Sequence, residues 1–246
     1  SVAAIAAIPG AVSAAGTASS EIVKWDAHKL SQMIKSKAVS CVEVMDAYLS
    51  QIRRYNPRVN AIVAMADEAD LRAQASERDR QLARGQYLGW MHGMPQAIKD
   101  TSHAKGLVYT TGSPLFKGYV SPFDSVISER AKNSGAIIIG KTNVPEFALG
   151  SNTFNPVYGT TWNPYNLEKT VGGSSGGAGA ALAARMLPVA DGSDMGGSIR
   201  NPSAWTNIYG LRPGAGTVPF APSPETFVQQ FAIEGPMGRT VKDVAM

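Results

Sequence analysis

The 246-residue sequence has one cysteine, Cys41, and three histidines, His28, His92 and His103. A single cysteine excludes an intramolecular disulfide and a Cys-based zinc site. So few histidines leave little choice of an imidazole base. Charge is also sparse: DEKR residues make up 17% of the chain, and 23 Lys+Arg against 19 Asp+Glu gives +4, mixed along the sequence with no tract of one sign. Nucleic acid is therefore not an expected partner. The longest charged stretch, residues 67–84, alternates in sign, as a solvated helix face does. No apolar stretch reads as an integral membrane segment. What is plentiful is hydrophobic residue, 44%, and glycine, 25 in number, which together suit a globular chain with a sizeable core. Length alone allows one domain or two.

The ends carry their own signals. Residues 1–20 are uncharged, rich in Ala and Val, and finish in small residues. They read equally as the remnant of an export signal or as an Ala-rich surface extension, so both the periplasm and the cytoplasm stay open as locations. Residues 21–246 form the body. At its far end Thr240 reads as an N-cap, and the apolar stripe Val241, Val244, Ala245 is interrupted at Met246, as in a piece of a larger domain.

Between these ends the pattern is helix followed by buried strand. The spacing predicts a helix over residues 40–55, with Ser40 and Glu43 as a capping box and Val42, Val44, Met45, Tyr48, Leu49 and Ile52 mostly on one face. Cys41, in its first turn, reads as a small core residue. Residues 61–65 read as a strand, and 67–84 as a polar helix ended by Gly85. A helix over 125–134 stops at Gly135 and leads into Ala136, Ile137, Ile138 and Ile139, a run suited to a strand buried on both faces. An Ala-rich helix near 178–186 then leads to Leu187, Pro188, Val189 and Ala190. Helix then buried strand, twice, predicts an α/β domain with a central sheet that is at least partly parallel.

Two Gly/Ser clusters stand out, G-G-S-S-G-G at 172–177 and G-S-D-M-G-G-S-I-R at 192–200. Glycines beside a serine expose its hydroxyl, admit a substrate to the main chain and free N–H groups for a developing oxyanion. Flexible surface loops share this composition, but both clusters adjoin apolar elements. A serine nucleophile needs a base. His28 has no motif around it, and His92 and His103 flank the segment G-M-P-Q-A-I-K-D at 93–100. Lys99 follows Ala97-Ile98 at a predicted strand end, where burial would favour the neutral amine. An isolated lysine is more often a solvated charge.

Three blocks in order change that reading. G-M-P-Q-A-I-K-D at 93–100, G-G-S-S-G-G at 172–177 and D-M-G-G-S-I-R at 194–200, supported by G-K-T-N-V-P-E-F at 140–147 and G-L-R-P at 210–213, resemble the blocks of the amidase signature family. The resemblance implies an α/β amidase signature fold, with a central mixed sheet flanked by helices, of which this chain looks like the N-terminal part. It implies a triad of Ser198 as nucleophile, Ser174 as bridging serine with a cis peptide bond, and Lys99 as neutral base. It further implies an oxyanion hole of the Met195, Gly196, Gly197 and Ser198 N–H groups. Ser175, Ser193, Asp194 and Arg200 would support the loops, and Asn152 would contact substrate. The implied reaction is cleavage of a small-molecule amide through an acyl-enzyme, without metal or cofactor; esters and carbamates are alternative substrates, and a binding-only fragment and a homodimer stay open. Gly214-Ala215-Gly216-Thr217 departs from the family's usual sequence after its Leu-Arg-Pro block.

Rival patterns fail on context. Residues 135–142 fit G-x-x-x-x-G-K-[ST], yet the intervening residues read as a buried strand instead of a phosphate loop. Residues 172–176 fit the G-x-S-x-G elbow, which keeps an α/β-hydrolase with Ser174 attacking as a remote alternative although no histidine follows. Ser102 and Lys105 fit S-x-x-K without its companion motifs. Tyr109, Phe116, Phe154, Tyr158 and Trp162 are expected to pack in the core, with lining a pocket as the alternative.

Overall fold

A computed structural model describes residues 19–219, 221 and 231–246. The export-signal reading of the N-terminus therefore falls almost wholly outside the described residues. The first helices are α1 (Ala27–Lys35), capped by Asp26, and α2 (Cys41–Val59), where Ser40 and Glu43 close the capping box. The second helix runs beyond residue 55 and stops at Asn60, whose left-handed conformation suits an Asn C-cap. The Asn56 side chain accepts the N–H groups of Ala61 and Ile62 and fixes the chain's exit. β1 (Ile62–Val63) is shorter than the expected strand. α3 (Glu68–Ala83) is the polar helix, with Arg72–Glu68 and Arg80–Glu77 pairs on its solvated face. Such exposed pairs contribute under about 1 kcal/mol each.

The parts that carry the site follow. They are β2 (Pro95–Lys99), α4 (Val126–Asn133) and β3 (Ile137–Thr142). Gly135 joins the last two at φ +96, and a Cβ there would lie 2.6 Å from His92 Cα, so only glycine fits. Two small hairpins come next, β4 (Phe154–Asn155) with β5 (Gly159–Thr160), and β6 (Trp162–Asn163) with β7 (Asn166–Thr170). The chain continues through α5 (Gly176–Ala183), β8 (Val189–Asp194), α6 (Arg200–Trp205), β9 (Tyr209–Gly210), β10 (Ile233–Gly238) and α7 (Val241–Ala245). Both expected buried strands begin later and end further on than the apolar runs, because their polar ends, Lys141-Thr142 and Ser193-Asp194, are themselves largely enclosed.

Hydrogen bonding divides the main strands into two three-stranded sheets, ordered β1-β3-β2 and β8-β10-β9. Among the described residues only β2 and β3 pair in parallel; β1 with β3 and both pairs of the second sheet are antiparallel. The sheet edges β2 and β8 meet, bridged by the Asp191 carboxylate, which accepts the Lys99 main-chain N–H at 3.0 Å. Over this junction lies α5, built of small residues and buried from Gly176 to Leu182. A Cβ on Gly177 would fall 2.2 Å from the Asn143 nitrogen, so the helix rests directly on the backbone leaving β3. Its N-terminus thereby hangs over the end of β2. Tyr48, Leu30, Leu49, Met94, Ile137 and Ile139 fill the core beneath.

Three of the five aromatic residues depart from the core expectation. Phe116, Phe154 and Trp162 are exposed, since each lies on a one-turn helix or a two-residue strand too short to be covered on both sides. Tyr109 and Tyr158 are half-buried. No helix among the described residues is long and apolar enough to cross a membrane.

Candidate active site

The site is built around a lysine that the fold takes out of water. Lys99 ends β2 with no exposed surface. Its Nζ lies 2.8 Å from Ser174 Oγ, 2.9 Å from Ser175 Oγ and 2.8 Å from Ser193 Oγ. Three hydroxyls match the three N–H bonds of an ammonium. In a neutral amine only two N–H bonds remain, and one hydroxyl turns round to donate to the lone pair. Burial favours that form and brings Lys99 down to about 7, against the opposing pull of Asp191, Glu234 and Asp194.

The serines come from two glycine-rich loops. Ser174 follows a cis Gly173–Ser174 peptide bond and Ser175 is the N-cap of α5. Both are buried. Ser175 does more than shape the loop: besides touching Lys99, its hydroxyl lies 3.3 Å from both the N–H and the carbonyl of Ser193. Ser193 contacts the amine directly. Ser198 is half-buried in the loop after β8, and its carbonyl accepts the Ser175 N–H at 3.2 Å, which joins the two loops. Its hydroxyl has no hydrogen-bond partner among the described residues, so Lys99 and Ser174 are linked while Ser198 and Ser174 are not.

Asp194 organises the second loop. Its buried carboxylate accepts the N–H groups of Gly197, Ile199 and Arg200 at 2.9, 3.0 and 3.3 Å. Arg200 closes on it in a fork, 3.0 Å from Nε and 2.9 Å from a terminal nitrogen, and Arg212 stands 3.3 Å away. Burial opposes charge here, yet Arg200 and the three N–H groups hold the carboxyl well below the usual carboxylate range. One expectation needs correction. The Gly197 N–H points at Asp194 and is not free for an oxyanion, because a buried carboxylate outcompetes open solvent for it. The N–H groups of Met195, Gly196 and Ser198 have no acceptor among the described residues.

Asn152 is exposed and accepts a hydrogen bond from the Thr170 hydroxyl at 2.7 Å. It borders a 420 Å³ cavity lined by Glu146, Phe147, Leu149 and Phe154. Its backbone also crowds Gly173, where a Cβ would meet the Asn152 nitrogen at 3.0 Å. The histidines lie elsewhere. His92 Nε2 pairs with the Arg78 carbonyl, and His103 pairs with Ser121 and stacks on Tyr109. Cys41 is buried, and burial pushes its thiol up, leaving it inert. No group of three or more His, Cys, Asp or Glu side chains suited to a metal occurs among the described residues.

Sequence reasoning missed a second layer of charge. Asp191 and Glu234, on β8 and β10, and Asp100 and Lys141 beside them are all buried. Lys141 Nζ donates to the Ser102 carbonyl and lies 4.0 Å from Asp100, which accepts the Thr110 hydroxyl at 2.6 Å. The only signal was charge inside otherwise apolar strand segments, which the P-loop-like pattern around Lys141 obscured.

An α/β frame that seals a lysine amine among serine hydroxyls defines a class of serine–lysine proteins. A family model described as Amidase matches residues 43–246, and the chain belongs to that family, the amidase signature enzymes. It is 38% identical to a glutamyl-tRNA(Gln) amidotransferase chain of Clostridium botulinum (strain Alaska E43 / Type E3), over 92% of this chain and 46% of the relative. It is also 38% identical to an indoleacetamide hydrolase of Bradyrhizobium diazoefficiens, over 91% of this chain and 43% of that protein. Among solved structures, a bacterial aryl acylamidase superposes with a TM-score of 0.83 at 35% identity, covering 90% of this chain and 46% of the other. The chain thus spans a little under half the length of these relatives.

Proposed function

We propose that the protein is an amidohydrolase that cleaves a carboxamide C–N bond through an acyl-enzyme on Ser198. The observation that carries this reading is the fully buried Lys99 amine held within 2.9 Å of three serine hydroxyls. In the neutral form the amine takes the Ser174 proton as Ser174 takes that of Ser198. The Ser198 oxygen bonds to the amide carbon, the charge on the carbonyl oxygen settles on the free N–H groups of Met195, Gly196 and Ser198, and the C–N bond breaks. The relayed proton goes to the leaving nitrogen. Water then adds to the acyl carbon by the same route in reverse and releases the acid. Each oxyanion donor is commonly worth about 3 kcal/mol. The missing Ser198–Ser174 hydrogen bond is formed by rotation of the half-buried Ser198 side chain when a substrate arrives, since catalytic hydrogen bonds often tighten only in the complex. Amide-cleaving relatives, an indoleacetamide hydrolase and an aryl acylamidase by name, support the substrate class.

Covalent labelling by a fluorophosphonate tests the assignment. Label is expected on the wild-type protein, absent in Ser198→Ala, and formed slowly but on Ser198 in Ser174→Ala. Label on Ser174 that survives in Ser198→Ala would replace this reading with an elbow nucleophile, and an unlabelled wild type would remove it.

A further inference from the structure

Behind the serine cradle the protein has buried more charge than a base requires. Asp191 reaches across from β8 to the edge of β2 and accepts two hydrogen bonds from it, the Lys99 N–H at 3.0 Å and the Gln96 side-chain amide at 3.3 Å. It is therefore the clamp between the two sheets at the residue where the amine emerges. Glu234 stands opposite Ser193 in the β8–β10 ladder and accepts the Ser102 hydroxyl at 2.6 Å. Ser102 in turn belongs to the turn that leaves β2 after Lys99, so both carboxylates grip the same few residues from the second sheet. Neither forms an ion pair with Lys99. A buried carboxylate that holds main chain while standing near an ammonium acts on it through space, without competing for its N–H bonds.

We propose that Asp191 and Glu234 are positioning residues for the lysine base: from β8 and β10 they lock the end of β2 against the serine loops and set how readily the Lys99 amine gives up its proton. This rests on the reading of Lys99 as base. Asp194 lies beyond Ser193 and is already neutralised by Arg200 and Arg212. Lys141 and Asp100 answer each other on the β3 side, with the Tyr109 ring over the Lys141 ammonium. Asp124, which also faces Lys141, is held by Lys132. That leaves Asp191 and Glu234 as buried carboxylates without an ion pair, both in the field of Lys99 and Lys141. Burial pushes both carboxyls up, Glu234 to about 7, while the Lys99 N–H pulls Asp191 back and the Ser102 hydroxyl does the same for Glu234. The two hydrogen-bond donors and the nearby lysines favour the Asp191 anion against the pull of burial.

The sign follows directly. An anion near a lysine favours the ammonium, so removing it lowers the pH at which the amine becomes neutral. Glu234→Gln keeps an oxygen acceptor for the Ser102 hydroxyl, and Asp191→Asn keeps one for the Lys99 N–H while giving up the bond from the Gln96 amide; each deletes the charge. The readout is the Lys99 titration followed by NMR of 13Cε-labelled lysine in the whole protein, assigned by its loss in Lys99→Met; it does not depend on turnover. The midpoint is expected to fall by about one pH unit in Asp191→Asn and by less in Glu234→Gln. If Asp191→Asn does not fold, Glu234→Gln decides alone. An unmoved midpoint in the folded variants would overturn the inference. Fluorophosphonate labelling of Lys99→Met at the wild-type rate would instead overturn the parent reading, and the two failures are read by different instruments.

Discussion

Two lysines are buried in neighbouring parallel strands, and they differ in what faces the nitrogen. Lys99 and Lys141 are both without exposed surface, and burial lowers both, to about 7 and about 8. Desolvation alone therefore does not single out a base. Lys99 meets hydroxyls, each of which can accept a proton on one side while giving one up on the other. Lys141 meets a carbonyl and a carboxylate, which only accept. A proton arriving at Lys141 has no onward path, and its ammonium is held as a structural cation. The partner's capacity to both donate and accept, more than burial, separates a proton carrier from a buried ion pair.

Replacing each lysine by methionine should separate the two roles. Lys99→Met should cut the rate of acylation about a thousandfold, as the loss of the proposed base requires, while stability in urea falls by about 1 kcal/mol, because the serine hydroxyls lose a partner but Asp191 and Glu234 keep their hydrogen-bond donors. Lys141→Met should do the reverse. It leaves Asp100 buried without its cation and costs about 3 kcal/mol of stability, with acylation of the folded protein kept within about tenfold of wild type. If the two variants behaved alike, the distinction drawn from their partners would be wrong.

A smaller effect separates the frame from the chemistry. Gly177→Ala places a methyl 2.2 Å from the Asn143 nitrogen and 2.6 Å from the Ala61 carbonyl oxygen, both backbone atoms that have no room to retreat. Overpacking of this kind costs about 2 kcal/mol. The melting midpoint should fall, and the Lys99 contacts should loosen because α5 carries Ser174 and Ser175 at its leading end. Unchanged stability would show that the helix does not rest on β3 as tightly as the geometry requires.

What could be read beforehand follows the same division. The capping box at Ser40, the stop at Gly135 and the grouping of Lys99 with the two Gly/Ser loops were legible, because each depends on neighbours in sequence or on motif blocks in order. The split into two sheets was not, since the β8–β10 pairing joins residues about forty to fifty positions apart and leaves no periodic trace. Asp191 and Glu234 were invisible for a related reason: their importance comes from which strand edge they meet, not from any local pattern. The resemblance implied a free Gly197 N–H, and only the fold shows Asp194 occupying it.

The smallest expected effect concerns Arg200, where the sequence pattern is most emphatic and the geometry least demanding. Its guanidinium forks onto Asp194, but its side chain is 57% exposed and water competes for it. Asp194 keeps the Gly197 and Ile199 N–H groups and the Arg212 guanidinium when Arg200 is shortened. Arg200→Ala should therefore slow acylation by about fivefold or less, a change of about 1 kcal/mol in the barrier. Asp194→Asn sharpens the contrast. There the acceptor of five hydrogen bonds loses its charge inside the protein, and the loop that presents Ser198 loses the anion around which it folds. If Arg200→Ala proved as damaging as Asp194→Asn, the exposed cation rather than the buried hydrogen-bond hub would be what shapes the loop, and burial would be the wrong guide to which half of an ion pair matters.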